Sequence, residues 1–129
     1  MAESGFLAPA DLSKALVGVG EKKAALPIPK MILLGILAGV FIGFGAHVAT
    51  TIATGSGLGF GPTKFLVGAV FSVGLMLVVI PGAELFTGNN LMLAAVCSNR
   101  IGAGGLLKNW VVVYLANFVG SILLAALIG

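Results

Sequence analysis

Charge is what this sequence has least of. Charged residues make up 9% of the chain, against roughly 25% in soluble globular domains, so a solvated surface on every side is excluded. Cysteine is nearly absent. Cys97 stands alone, which rules out an internal disulfide and leaves a thiolate metal cluster without ligands; its size and polarity suit a buried packing position. There is a single histidine, no paired carboxylates, and no glycine loop followed by Lys-Ser/Thr. Hydrolysis, metal catalysis, nucleotide-driven work and haem ligation by a histidine pair within the chain therefore have no visible apparatus. The expectation is a protein that is not an enzyme, with no cofactor and no metal. The formal charge is +3, but no basic run is dense enough to suggest nucleic acid, and the scattered cations read as topology information. Residues 1 to 30 also lack the pattern of a cleaved signal peptide, because the first long apolar run begins near Ile32 and has spanning length.

What is present is apolar. Hydrophobic residues make up 59% of the chain and the mean hydropathy is +1.17, which together indicate an all-α integral membrane protein of about three spans. Residues 1 to 8 read as poorly ordered. From Pro9, the residues Leu12, Leu16 and Val19 share one helical face, with Asp11 in the first turn and Lys22 and Lys23 in the last. This predicts an amphipathic helix ended by Pro27 and Pro29, in a cytoplasmic segment 1–29. Lying along the interface is its simpler role, and gating a pore mouth the sharper one. The remainder, 30–129, reads as a transmembrane unit with spans at about 31–53, 65–97 and 106–128.

In the first span Gly35, Gly39 and Gly43 form a smooth stripe that lets helices approach closely. His47 continues the stripe beside Thr50 and Thr51, and reads as a satisfied hydrogen-bonding partner rather than a proton carrier. A glycine-rich linker occupies 54–62 and a polar loop 98–105. In the third span Ala116 with Gly120, and Asn117 with Ser121, pair at helical spacing. Lys14, Lys22, Lys23 and Lys30 precede the first span and Arg100 and Lys108 flank the third, while only Lys64 lies between the first two. The positive-inside rule then puts the N-terminus and the 98–105 loop in the cytoplasm.

The second span is too long. As one straight helix, 65–97 would measure about 50 Å against a hydrocarbon core of about 30 Å, and Pro81-Gly82 is where it must break, over 80–89. The half beginning near Asn89 points the positive end of its dipole, with Gly88 and Asn89 at its N-terminus, into mid-membrane, and Thr87 adds a hydroxyl donor. That geometry suits a small anion or a small polar solute. Phe71 with Leu75, one turn apart, and Leu85 with Phe86, beside the break, are candidates for apolar constrictions or for ordinary packing. Glu84 would repel an anion and is costly in the membrane; a structural role is favoured, accepting backbone N–H groups of the broken loop or pairing with a cation elsewhere in the assembly, with a proton relay as the alternative.

Gly82-Ala83-Glu84-Leu85-Phe86-Thr87-Gly88-Asn89 resembles the signature of the formate/nitrite transporter family, and Lys108-Asn109-Trp110 with Val113-Tyr114, Asn117 and Val119-Gly120 resembles its third-span motif. The resemblance covers nearly the whole chain. It implies an aquaporin-like fold of two inverted three-span halves, assembled as a homopentamer in a prokaryotic-type inner (plasma) membrane, passing formate, nitrite or hydrosulfide as monovalent anions or weak acids. It also implies that Leu85, Phe86 and Thr87 line the pore, with Phe71 and Leu75 at its narrow points and Asn117 as a structural polar residue. In the family a central pore histidine and a nearby lysine lie in the second half, and His47 is not their equivalent. The abrupt end at Gly129 reads as that of an N-terminal half, whose second half is missing or a separate chain. A neutral-solute pore and a structural subunit of a larger membrane complex remain alternatives.

Overall fold

In a computed structural model, which describes residues 6–129, the described chain is helical with no strand. Residues 6–8 have no regular structure, and the first five of the segment expected to be poorly ordered lie outside the described residues. Helix α1 runs Pro9–Ala24, α2 Ile28–Gly55, α3 Phe60–Val79, α4 Phe86–Asn89, α5 Leu93–Cys97 and α6 Ala103–Ile128, with a 3-10 turn Asn90–Met92 joining α4 to α5. Helices α2, α3 and α6 are each long and apolar enough to cross a membrane.

The prolines place the helix starts earlier than the apolar runs suggest. Pro29 sits in the first turn of α2, where its missing N–H would have had no partner anyway. It therefore begins α2 rather than merely ending α1. Pro62 does the same in the first turn of α3, so the linker expected over 54–62 shrinks to Ser56–Gly59. At the other end of α3 the helix stops in a Schellman turn: Gly82 has φ 75, its N–H donates to the Val79 carbonyl, and the Ala83 N–H donates to the Val78 carbonyl at 2.9 Å. Pro81 adds no N–H to be satisfied there.

Helix α2 is the spine, with α6 packed on one side and α3 on the other. Gly35, Gly39 and Gly43 face α6. A Cβ on Gly39 would run into the backbone of Asn117, and one on Gly120 into the carbonyl of Ile36, so these two helices meet backbone to backbone. On the other side Gly45 and Gly74 play the same part between α2 and α3. A small apolar cluster of Ala38, Val78 and Ala83, covered by Phe41, Ile42 and Leu85, holds the break against α2.

Helix α1 packs on the 3-10 turn and α5. The face in contact is not the expected Leu12–Leu16–Val19 stripe, because Leu12 and Val19 are exposed; the close approach is at Gly20, against Met92 and Ala95. Cys97, expected to be buried, is exposed, since α5 turns Ala95 inward and ends at Cys97.

Candidate functional site

The break leaves backbone groups that its own helices do not satisfy, and the structure meets them with side chains of α6 and a backbone carbonyl of α2. Asn117 of α6 makes the closest repair. Its Oδ1 accepts from the Phe86 N–H at 2.9 Å, and its Nδ2 donates to the Glu84 carbonyl and to the Gly35 carbonyl, both at 2.8 Å. One amide thus stitches the extended piece before α4 to both α2 and α6. The Glu84 N–H donates in turn to the Leu34 carbonyl of α2 at 3.2 Å.

The Glu84 side chain is buried, and its two oxygens are separately held. Oε1 accepts from Lys23 Nζ at 2.7 Å and Oε2 from Asn89 Nδ2 at 2.7 Å. Glu84 accepts no backbone N–H of the broken loop through its carboxylate, and its cation comes from this chain rather than from elsewhere in an assembly. A carboxylate taken out of water needs both partners.

The same Asn89 Nδ2 donates to Asn109 Oδ1 at 2.7 Å, and Asn109 Nδ2 faces the Lys23 carbonyl at 3.4 Å and Met31 Sδ at 3.5 Å. Because a carboxylate only accepts, the orientation of the Asn89 amide is fixed, and its Oδ1 is left as a buried acceptor without a protein partner among the described residues. Trp110 Nε1 donates to the Asn89 carbonyl at 3.1 Å. Sequence reasoning missed Lys23 and Asn109 as members of this network. Asn109 was within reach, since Asn109, Val113, Ala116, Gly120 and Leu124 are buried at helical spacing and set one face of α6. Lys23, 61 positions from Glu84, gave no such signal.

A cavity of about 690 Å³ opens beside the junction, with Leu75, Val79, Leu85, Thr87, Gly88, Asn89 and Lys23 among its lining residues. Of the candidate constriction residues, Leu75 and Leu85 are here. Phe71 lies on α3 outside this lining. Phe86 turns toward α6, its ring edge-on to Trp110 at 5.9 Å and Tyr114 at 5.5 Å. The half-helix starts at Phe86, not near Asn89, so its first-turn amides are those of Phe86, Thr87 and Gly88. The first is taken by Asn117, and the Asn89 N–H already bonds back to the Leu85 carbonyl.

His47 is elsewhere, exposed in a groove between α2 and α6 with Thr50 and Ser121. Its imidazole has no hydrogen-bond partner among the described residues, contrary to expectation, because Thr50 and Thr51 turn back to the carbonyls of Ala46 and His47 one turn earlier.

The profile of the formate/nitrite transporter family matches residues 10–129. A probable formate transporter of Methanothermobacter thermautotrophicus is 43% identical over 126 residues, covering 95% of this chain and 46% of that protein. The formate channel FocA of Escherichia coli (strain K12) is 42% identical over 123 residues, covering 95% of this chain and 43% of that protein. Among solved structures, an FNT family ion channel superposes with a TM-score of 0.83 at 26% identity, over 92% of this chain and 48% of that one. The chain thus spans about half the length of the curated relatives that it matches.

Proposed function

The chain belongs to the formate/nitrite transporter family, and on that premise we propose that it supplies one three-span half of a channel for small monovalent anions or their weak acids, with formate, nitrite and hydrosulfide as candidates. It is a membrane protein of a family of transporters, not of enzymes. The observation that carries the reading is the largely apolar cavity that Leu75 and Leu85 line together with Thr87 and Gly88 at the start of a half-helix. Such a helix start favours negative charge, while the two leucines exclude a hydrated ion. An anion is drawn by Thr87 and the Gly88 amide and crosses the narrow part after shedding water or taking a proton from a donor outside this chain. Phe86 and Asn117 position the half-helix, and Phe71 shapes α3 at a second narrow point. Gly35, Gly39 and Gly43 pack the spans.

In this reading residues 1–29 and the 98–102 turn face the cytoplasm of a prokaryotic-type inner membrane. A second half of the inverted repeat faces the cavity, and five protomers assemble with one pore each. Glu84 is structural: tied to Lys23 and Asn89, it is a poor proton relay, and Glu84→Gln leaves the pH profile of transport unchanged. Flux of formate, nitrite and hydrosulfide from proteoliposomes tests the proposal. Saturable, pH-dependent passage supports it, and passage no faster than from empty liposomes, with helices intact, counts against it.

A neutral-solute pore is the second reading, favoured by the internal neutralisation of Lys23 by Glu84 at the cavity wall. Currents that scale with salt select the anion channel; water or solute flux without current selects the alternative.

A further inference from the structure

Away from the break, a second polar cavity lies between α1 and the turn that joins α5 to α6. It measures about 400 Å³ and is lined by Lys14, Val17, Gly18 and Glu21 on one wall and by Ser98 and Arg100 on the other. Lys14 and Glu21 are two helical turns apart and so share a face of α1. Arg100 is placed by the way that α5 ends. Asn99 adopts a left-handed φ of 55 and donates to the Val96 carbonyl at 2.9 Å, and the Arg100 N–H donates to the Ala95 carbonyl at 2.9 Å, which turns the side chain back toward α1.

Arg100 Nε then donates to Glu21 Oε1 at 2.9 Å. The two terminal guanidinium nitrogens have no partner among the described residues, and they form the fork that fits paired oxygens. Lys14 is 3.9 Å from Asp11, in a pair whose side chains are largely exposed, a contact too solvated to hold it. The cavity therefore has two available cations and the Ser98 hydroxyl against one engaged carboxylate.

Its level in the fold selects the ligand. Apolar α5 ends at Cys97 and apolar α6 begins at Ala103, so Arg100 sits where the apolar slab gives way to water, at the depth of lipid phosphates. Exposed Leu12 on α1 adds apolar surface at this boundary.

We propose that the groove between α1 and the α5–α6 turn, walled by Lys14 and Arg100, binds the phosphodiester of an anionic phospholipid headgroup. Binding a lipid there ties α1 to the end of α5. The site is separate from the cavity at the break, and its test does not depend on transport.

The test measures binding of short-chain phosphatidylglycerol and phosphatidylcholine to the detergent-purified protein carrying this chain. Phosphatidylglycerol binds and phosphatidylcholine does not compete. Lys14→Gln and Arg100→Gln each weaken binding about fivefold, Lys64→Gln leaves it unchanged, and Glu21→Gln strengthens it by freeing the guanidinium. This last variant separates ligand binding from a merely structural ion pair, whose loss would loosen the groove and weaken binding. Equal binding of both lipids, insensitivity to Lys14→Gln and Arg100→Gln, weaker binding in Glu21→Gln, or displacement by inorganic phosphate at concentrations matching the lipid would overturn the proposal.

Discussion

Two regions hold this chain together by opposite means. The seam between α2 and α6 is built from what side chains leave out: Gly39 and Gly120 bring backbone against backbone. The junction at the break is built from what side chains put in. Asn117 supplies backbone partners that a continuous helix would have supplied, and Lys23, Glu84, Asn89 and Asn109 link their side chains across the same junction. A seam held by shape degrades by degrees as atoms are added. A junction held by buried hydrogen bonds fails at single atoms, because each loss strands a partner away from water.

The sharpest break in that comparison comes at Lys23. Lys23→Met leaves the Glu84 carboxylate buried without its cation and should destabilise the fold by about 3–5 kcal/mol, whereas adding Glu84→Gln to it should recover most of the loss; thermal unfolding in detergent reads both. If the double variant is no better than the single one, the ion pair is not the unit described. Asn117→Leu comes next, at about 3 kcal/mol for three hydrogen bonds at about 1 kcal/mol each, with faster hydrogen exchange at the Phe86 amide as its local signature.

In the seam the effects should be graded by what each new atom meets. Gly39→Ala drives a methyl into the Asn117 backbone, for about 2 kcal/mol, while Gly43→Ala meets only the movable end of Leu124 and should cost well under 1 kcal/mol. Equal losses at the two positions would show that backbone approach is not what the stripe provides. Smallest is His47→Ala, expected within about 0.5 kcal/mol because the imidazole is exposed and unbonded.

How much of this was legible follows from the same contrast. The seam announces itself in sequence, since small residues four apart can only mean a smooth stripe once a helix is granted. The break is equally visible, because Pro81 removes an N–H and Gly82 permits the left-handed turn. The motif around Glu84 and the Lys108-Asn109-Trp110 run carried the family and its fold. What stayed hidden depends on distance in the chain or on rotation about an axis. Lys23 reads as a residue complementing a helix dipole until α1 is seen folded onto α5. The edge-on contact of the Phe86 ring with Tyr114 is likewise invisible until α4 is seen packed against α6. Cys97 reads as buried because its neighbours are apolar, yet α5 gives its inner face to Ala95. Pro62 reads as a linker residue, although the first turn of a helix accommodates proline as readily as a loop does.

The proposed passage for small anions runs beside Leu85, at the start of the half-helix after the break. The direct measurement is the ratio of lactate to formate flux from proteoliposomes containing the protein that carries this chain, with and without Leu85→Ala. Shortening this side chain should widen the narrow point and raise the ratio by about tenfold, a change of about 1.4 kcal/mol in relative barrier. A ratio unchanged by Leu85→Ala, in protein that still conducts formate, would place the passage somewhere else in the molecule.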